Sequence, residues 1–160
     1  MRHALPTCLL PLLLLAGLAP PEAGARDGSV ASRLDARGIK YVVDEDGDYR
    51  VTYSYKEEGR TQLVFVSGGT EDIAGFSVRE VFAPAARIGG DGLDGAKALA
   101  LLEESRQQKL GGWEIGGDVL YFVVKLPDSI DAAQLEAALD IAAQVADDKE
   151  IEISGGLDEL

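Results

Sequence analysis

Three segments of this chain pair residue types with spacings that can do chemistry. Asp44-Glu45-Asp46-Gly47-Asp48 gathers four carboxylates in five residues, and a hard cation such as calcium wants several carboxylate oxygens. The spacing argues for a turn instead. A helix-loop-helix calcium loop places glycine sixth and glutamate twelfth, whereas here Gly47 is fourth and Tyr55 twelfth. The Asp46-Gly47 pair supplies the positive φ angles of a tight hairpin. Gly90-Asp91-Gly92-Leu93-Asp94-Gly95 spells the glycine pattern that cradles a pyrophosphate in dinucleotide-binding folds. Two aspartates inside the loop would face the phosphate's own charge, and no parallel βαβ pattern surrounds it. Ser105 with Lys109, and Ser129 with Lys125, are the Ser-Lys pairs available for an activated nucleophile. Neither sits in a recognisable elbow.

Elimination narrows the chemistry further. The one His (His3), the one Cys (Cys8) and the one Met (Met1) all fall in the first eight residues. Those residues open a segment with Arg2 at its basic start, an apolar run from Leu9 to Ala16, and Ala23-Gly24-Ala25 at the positions a signal peptidase reads. Cleavage before Arg26 is expected, leaving roughly 135 residues, the size of one domain. The apolar run is too short and too rich in proline to span a membrane. After cleavage no triad, thiol nucleophile, histidine-based zinc site or intrachain disulfide remains. No catalytic, cofactor-binding or metal-binding residues are assigned.

Removing Arg2 and Glu22 with the leader leaves the net charge at −13. Such a charge repels polyanions, so nucleic acid and anionic membranes are poor partners. The closing Leu157-Asp158-Glu159-Leu160 resembles an endoplasmic-reticulum retention ending, but Leu157 stands where Lys or His belongs. A composition rich in Ala, Gly, Asp and Arg with no Asn is more like a GC-rich bacterium.

The elements that would position these residues show themselves by period. Arg26 to Ser29 reads as a tether, and Val30 to Gly38 as a short helix capped by Ser29. Ile39 to Val43 is strand-like, and Tyr49, Val51, Tyr53 and Tyr55 alternate with polar residues, a strand with one wet face. At least two of those three tyrosines are expected to pack under helices. Thr61 to Ser67 predicts a third strand, and Phe76 to Phe82 a fourth ended by Pro84. Ala96, Leu99, Leu102, Arg106 and Leu110 fall at helical spacing, with Asp94 as cap and Gly111-Gly112 as stop. Trp113 to Ile115 and Val119 to Leu126 read as a hairpin around Gly116-Gly117, the second strand apolar on both faces as a covered central strand would be. Asp131 with Gln134 forms a capping box for a long helix. Its apolar stripe runs from Leu135 to Ala146, opposite Glu136, Asp140, Gln144 and Asp147. The order predicts an α+β domain, helices on one face of an antiparallel sheet.

Lys109-Leu110-Gly111-Gly112-Trp113-Glu114-Ile115, then Leu120-Tyr121-Phe122-Val123-Val124 with Lys125-Leu126-Pro127, then Ala142-Ala143 through Ala146-Asp147 to Glu150, resemble the YbjN-like domain family of bacteria. The resemblance covers residues 34–160, including the Gly38 to Asp48 strand-turn and the closing Gly155 to Asp158. It implies a fold similar to the small chaperones of type III secretion, a regulatory or chaperone-like role, dimerisation and the holding of an extended protein segment. That family has no established catalytic residues. The expected organisation is a cleaved segment at 1–25, a tether and helix start at 26–33, and one domain over 34–160. The expected function is an exported, non-enzymatic protein-interaction domain of the periplasm or medium. The alternatives are a carboxylate-dependent hydrolase, which needs an Asp/Glu pair in a deep cleft, and an acidic periplasmic protein binding divalent cations.

Overall fold

The computed structural model describes residues 28–155. The leader with its cleavage site, and the Leu157–Leu160 ending, lie outside the described residues. The chain order is α1 (Gly28–Ala36), β1 (Tyr41–Val43), β2 (Tyr49–Tyr55), β3 (Arg60–Val66), β4 (Glu71–Ile73), β5 (Phe76–Arg87), α2 (Gly95–Gln107), β6 (Gly112–Gly116), β7 (Val119–Pro127) and α3 (Ala132–Ser154). The strands form one seven-stranded sheet in the order β1-β2-β3-β5-β7-β6, with β4 also on β5, and every pair is antiparallel. Helices pack on one face, the α+β arrangement expected from the order of periods.

Alternation decides what that face buries. Val64 and Val66 of β3, Val81 and Ala83 of β5, and Phe122 and Val124 of β7 are all buried. They meet Leu135, Leu139, Ala142 and Ala146 of α3 and Val30 and Leu34 of α1 in one core. The capping box starts α3: Asp131 Oδ1 accepts from the Gln134 N–H at 2.8 Å, and Gln134 Oε1 accepts from the Asp131 N–H at 3.0 Å. Asp94 caps α2 in the same way through the Lys97 N–H. Tyr49 is buried and Tyr53 packs partly against the core, as expected of two tyrosines in the row.

The structure departs from the sequence expectations in several places. α1 begins at Gly28, so Ser29 lies inside the helix, where its Oγ accepts from Arg33 Nη2 at 2.9 Å. β5 does not end at Pro84 but runs on to Arg87. The register on β7 shifts between Pro84 and Ala86, and a bulge is where a residue without an N–H can sit in a strand. The β4-β5 hairpin has no counterpart among the expected elements. It turns on Ala74 (φ 52°) and Gly75 (φ 87°), the two positive φ angles a two-residue hairpin turn demands. β7 is not central but one strand in from the β6 edge. α2 stops at Gln107, short of Leu110, and its buried leucine is Leu101, while Leu99 and Leu102 are 66% and 62% exposed. Asp147, assigned to the wet side of α3, is buried against Arg60.

β3 and β5 share only two register pairs, Phe65 with Phe82 and Val66 with Val81. On one side of them the Ser67 N–H still donates to Glu80 O at 2.9 Å, and on the other the ladder stops and the buried Gln62 side chain bridges the strands, its Nε2 donating to Pro84 O at 2.8 Å. Among the described residues no helix is long and apolar enough to cross a membrane.

Candidate functional site

The same alternation that fills the core sends every second side chain to the sheet's other face, which no helix among the described residues covers. On β5 these are Phe76, Val78, Glu80 and Phe82, beside Phe65 of β3 and Tyr121 of β7. Phe65 stacks on Phe82 with ring centroids 5.2 Å apart, and Phe82 meets Tyr121 edge-on at 5.9 Å. The three rings make a ladder across three strands, a geometry that adds to their area burial. Val123, the register partner of Phe82, is buried among them. At the far end of β5 the hairpin carries Ile73 and Phe76 as a register pair, 56% and 69% exposed.

Two shallow grooves run over this face. One, about 310 Å³, is walled by Phe82, Tyr121, Val123 and Glu114. The other, about 360 Å³, lies between Ile73, Val78 and Thr70. Glu80 lines both. Lys125 stands beside it, 2.6 Å from Glu114 and 3.7 Å from Glu80, with all three side chains about half exposed. The Glu114 hydrogen bond raises the Lys125 pKa against the smaller effect of burial, so the ammonium stays charged.

The residues whose types and spacing suggested chemistry are occupied otherwise. Lys125 is held charged by carboxylates, the wrong state for a base beside Ser129. Ser105 Oγ donates to Leu101 O and accepts from the Trp113 N–H, both at 2.8 Å, tying α2 to the β6 edge. In the glycine-rich loop, Asp91 Oδ2 accepts from the Arg87 N–H, and Asp118 Oδ1 from the Gly89 N–H. Within the motif the Asp91 and Leu93 N–H groups donate to Arg87 O and Ile88 O, and Asp94 Oδ1 takes the Lys97 N–H at the helix start, so amides that a phosphate would need are occupied. In the acidic turn Asp44 Oδ1 accepts from the N–H groups of Asp46 and Asp48, and Asp48 Oδ1 from the Gly68 N–H. Among the described residues no three His, Cys, Asp or Glu side chains gather to hold a metal ion. Asp147 and Glu150 form a carboxylate pair, but both are buried and both accept from Arg60.

Sequence reasoning missed the uncovered face. A signal was present: Leu63 and Phe65 interleave with Val64 and Val66, and Phe82 lies between Val81 and Ala83. Strands apolar on both sides need two coverings, and helices supply one.

No protein-family model matches the chain, and no curated protein matches it. Among solved structures, a chain of the HopA1-SchA chaperone-effector complex is similar to it, with a TM-score of 0.55 at 9% identity, over 77% of this chain and 91% of that one. The likeness is one of fold. The α+β, secretion-chaperone-like architecture expected from the sequence is therefore the one observed.

Proposed function

We propose that this chain is an exported, non-enzymatic protein-interaction domain that holds an extended protein segment on the uncovered face of its sheet. One observation carries the reading: the Phe65-Phe82-Tyr121 ladder and the exposed Ile73-Phe76 pair share a face that no helix among the described residues covers. Buried aromatic anchors carry much of the energy at protein interfaces, and grooves that take alternate side chains give an extended segment its specificity. The similar fold of a chaperone-effector complex supports a role in holding protein. The proposal includes cleavage near Ala25, work in the periplasm or medium, a YbjN-like domain over 34–160 and self-association into a dimer.

The experiment places a photocrosslinking residue at Tyr121, and in a second preparation at Gln144, an exposed site on α3. Labelling of protein from Tyr121 and not from Gln144 is the expected result. Equal labelling from both, or none from Tyr121, removes the reading. Amino-terminal sequencing of the exported form tests the cleavage before Arg26, and light scattering tests the dimer.

A further inference from the structure

Resting on that reading, we infer that the segment held on this face is cationic, with a Lys or Arg placed between two apolar side chains in the pattern apolar-x-basic-x-apolar. The apolar surface is not continuous. Ile73, Phe76 and Val78 form one zone, and Phe82, Tyr121 and Val123 another. Between them stand Glu80 on β5, Glu114 on β6 and Lys125 on β7. The two carboxylates outnumber the single ammonium, and Glu71, across from Val78 on β4, adds a third negative group on the same face.

The spacing fixes the pattern. Val78 and Phe82 are four residues apart on one strand, about 13 Å at the strand rise, with Glu80 midway. An extended segment lying along β5 has the same rise, so side chains at alternate positions meet Val78, Glu80 and Phe82 in turn. An apolar residue over the middle would bury Glu80 with only Lys125 to offset its charge, 3.7 Å away and held more closely by Glu114. An acidic one would meet two carboxylates and a chain whose net charge is −13. A Lys or Arg there pairs with Glu80 and competes with Lys125 for Glu114. Lys125 is drawn to Glu114 more closely than to Glu80, at 2.6 against 3.7 Å, which leaves Glu80 the weaker-held of the two carboxylates.

The test uses three labelled synthetic peptides, Val-Ser-Leu-Ser-Lys-Ser-Leu-Ser-Val and its versions with Glu or Ser at the central Lys, titrated by fluorescence anisotropy. The Lys peptide is expected to bind about tenfold tighter than the Glu peptide at low salt, with the gap narrowing as ionic strength rises. In the Glu80→Gln/Glu114→Gln protein Lys125 is the charge left at the middle of the face, with Glu71 two register positions away opposite Val78, and the preference for Lys over Glu is lost or reversed. If all three peptides bind the unaltered protein alike, or the gap persists in the double variant, the inference is overturned while the docking face stands. If none binds, the docking reading falls and takes the inference with it. The side chains exchanged are about half exposed, and the salt dependence in the unaltered protein gives a readout free of any effect on folding.

Discussion

Arg60 and Asp147 stand 87 residues apart in sequence, yet Nε and Nη2 of the guanidinium both donate to Oδ1 of the carboxylate, at 3.1 and 3.0 Å. Nη2 also donates to Glu150 Oε2 at 2.8 Å, and all three residues are buried. The cluster pins the start of β3 to the last turns of α3. Arg60→Met leaves two carboxylates buried with their cation gone and is expected to cost about 3–5 kcal/mol in urea denaturation. Making Asp147 and Glu150 apolar in the same protein should restore most of that. A loss well under about 1 kcal/mol for Arg60→Met would mean that water screens the cluster.

A second ion cluster gives a pH dependence. Burial pushes the Asp128 carboxyl up, but hydrogen bonds from Arg79 and Arg33 outweigh it and hold the group below its ordinary 3.8. A depressed folded value contributes stability that is complete above the unfolded value and lost as pH falls through the folded one. The protein should therefore lose stability below about pH 4. Asp128→Asn should be less stable at neutral pH and should lose less on acidification, so the two melting curves converge at low pH. Parallel curves would assign the acid sensitivity to other carboxylates.

The leucines of α2 provide a contrast on one helix. Leu101 joins the buried core to which Trp113 also belongs, and the Trp113 indole Nε1 donates to Glu104 of the same helix at 3.2 Å, whereas Leu99 and Leu102 face water. Leu101→Ala is expected to destabilise by about 2–4 kcal/mol, and Leu99→Ala or Leu102→Ala by about 0.5 kcal/mol or less. Thermal denaturation of the three variants decides which face is inside.

At Gly68 a side chain has no room. A Cβ built there lies 2.1 Å from the backbone oxygen of Gly47, while one at Gly69 meets nothing within 4 Å. Gly68→Ala must push the Asp44–Asp48 turn away and break the bond from the Gly68 N–H to Asp48. It should cost about 2 kcal/mol or more, with Gly69→Ala nearly neutral. Equal melting temperatures for the two variants would contradict the close approach.

What the sequence made legible was local. The Tyr49 to Tyr55 alternation, the Asp131-Gln134 box and the Asp94 cap each depend on residues within a few positions, and each appears as expected. α2 misled because it carries two competing apolar stripes. Ala96-Leu99-Leu102 repeats as well as Ala98-Leu101, and only the packing of α2 against β6, which puts Leu101 in the core, selects the second. Asp147 misled for the same reason, since its partner lies on a distant strand. Pro84 reads as a strand breaker until β7 is known to accommodate a register shift beside it. The uncovered face was hidden because β3 and β5 are apolar on both sides, which erases the period-two contrast that marks a wet face.

The short seam between β3 and β5 has a mechanical consequence. Two register pairs, the Gln62 amide, and the bonds of Ser67 with the Glu80 backbone join β1-β2-β3 to β4-β5-β7-β6, so the two groups of strands meet along the shortest ladder of the sheet, its natural hinge line. α3 touches β3, β5 and β7, and so splints the hinge from behind. The splint resists gaping on the helical side while leaving torsion about the seam comparatively soft. Phe65 and Phe82 sit on the seam itself, one ring from each group. A small twist of one group of strands against the other would slide the two rings and change the curvature of the open face without unfolding either half.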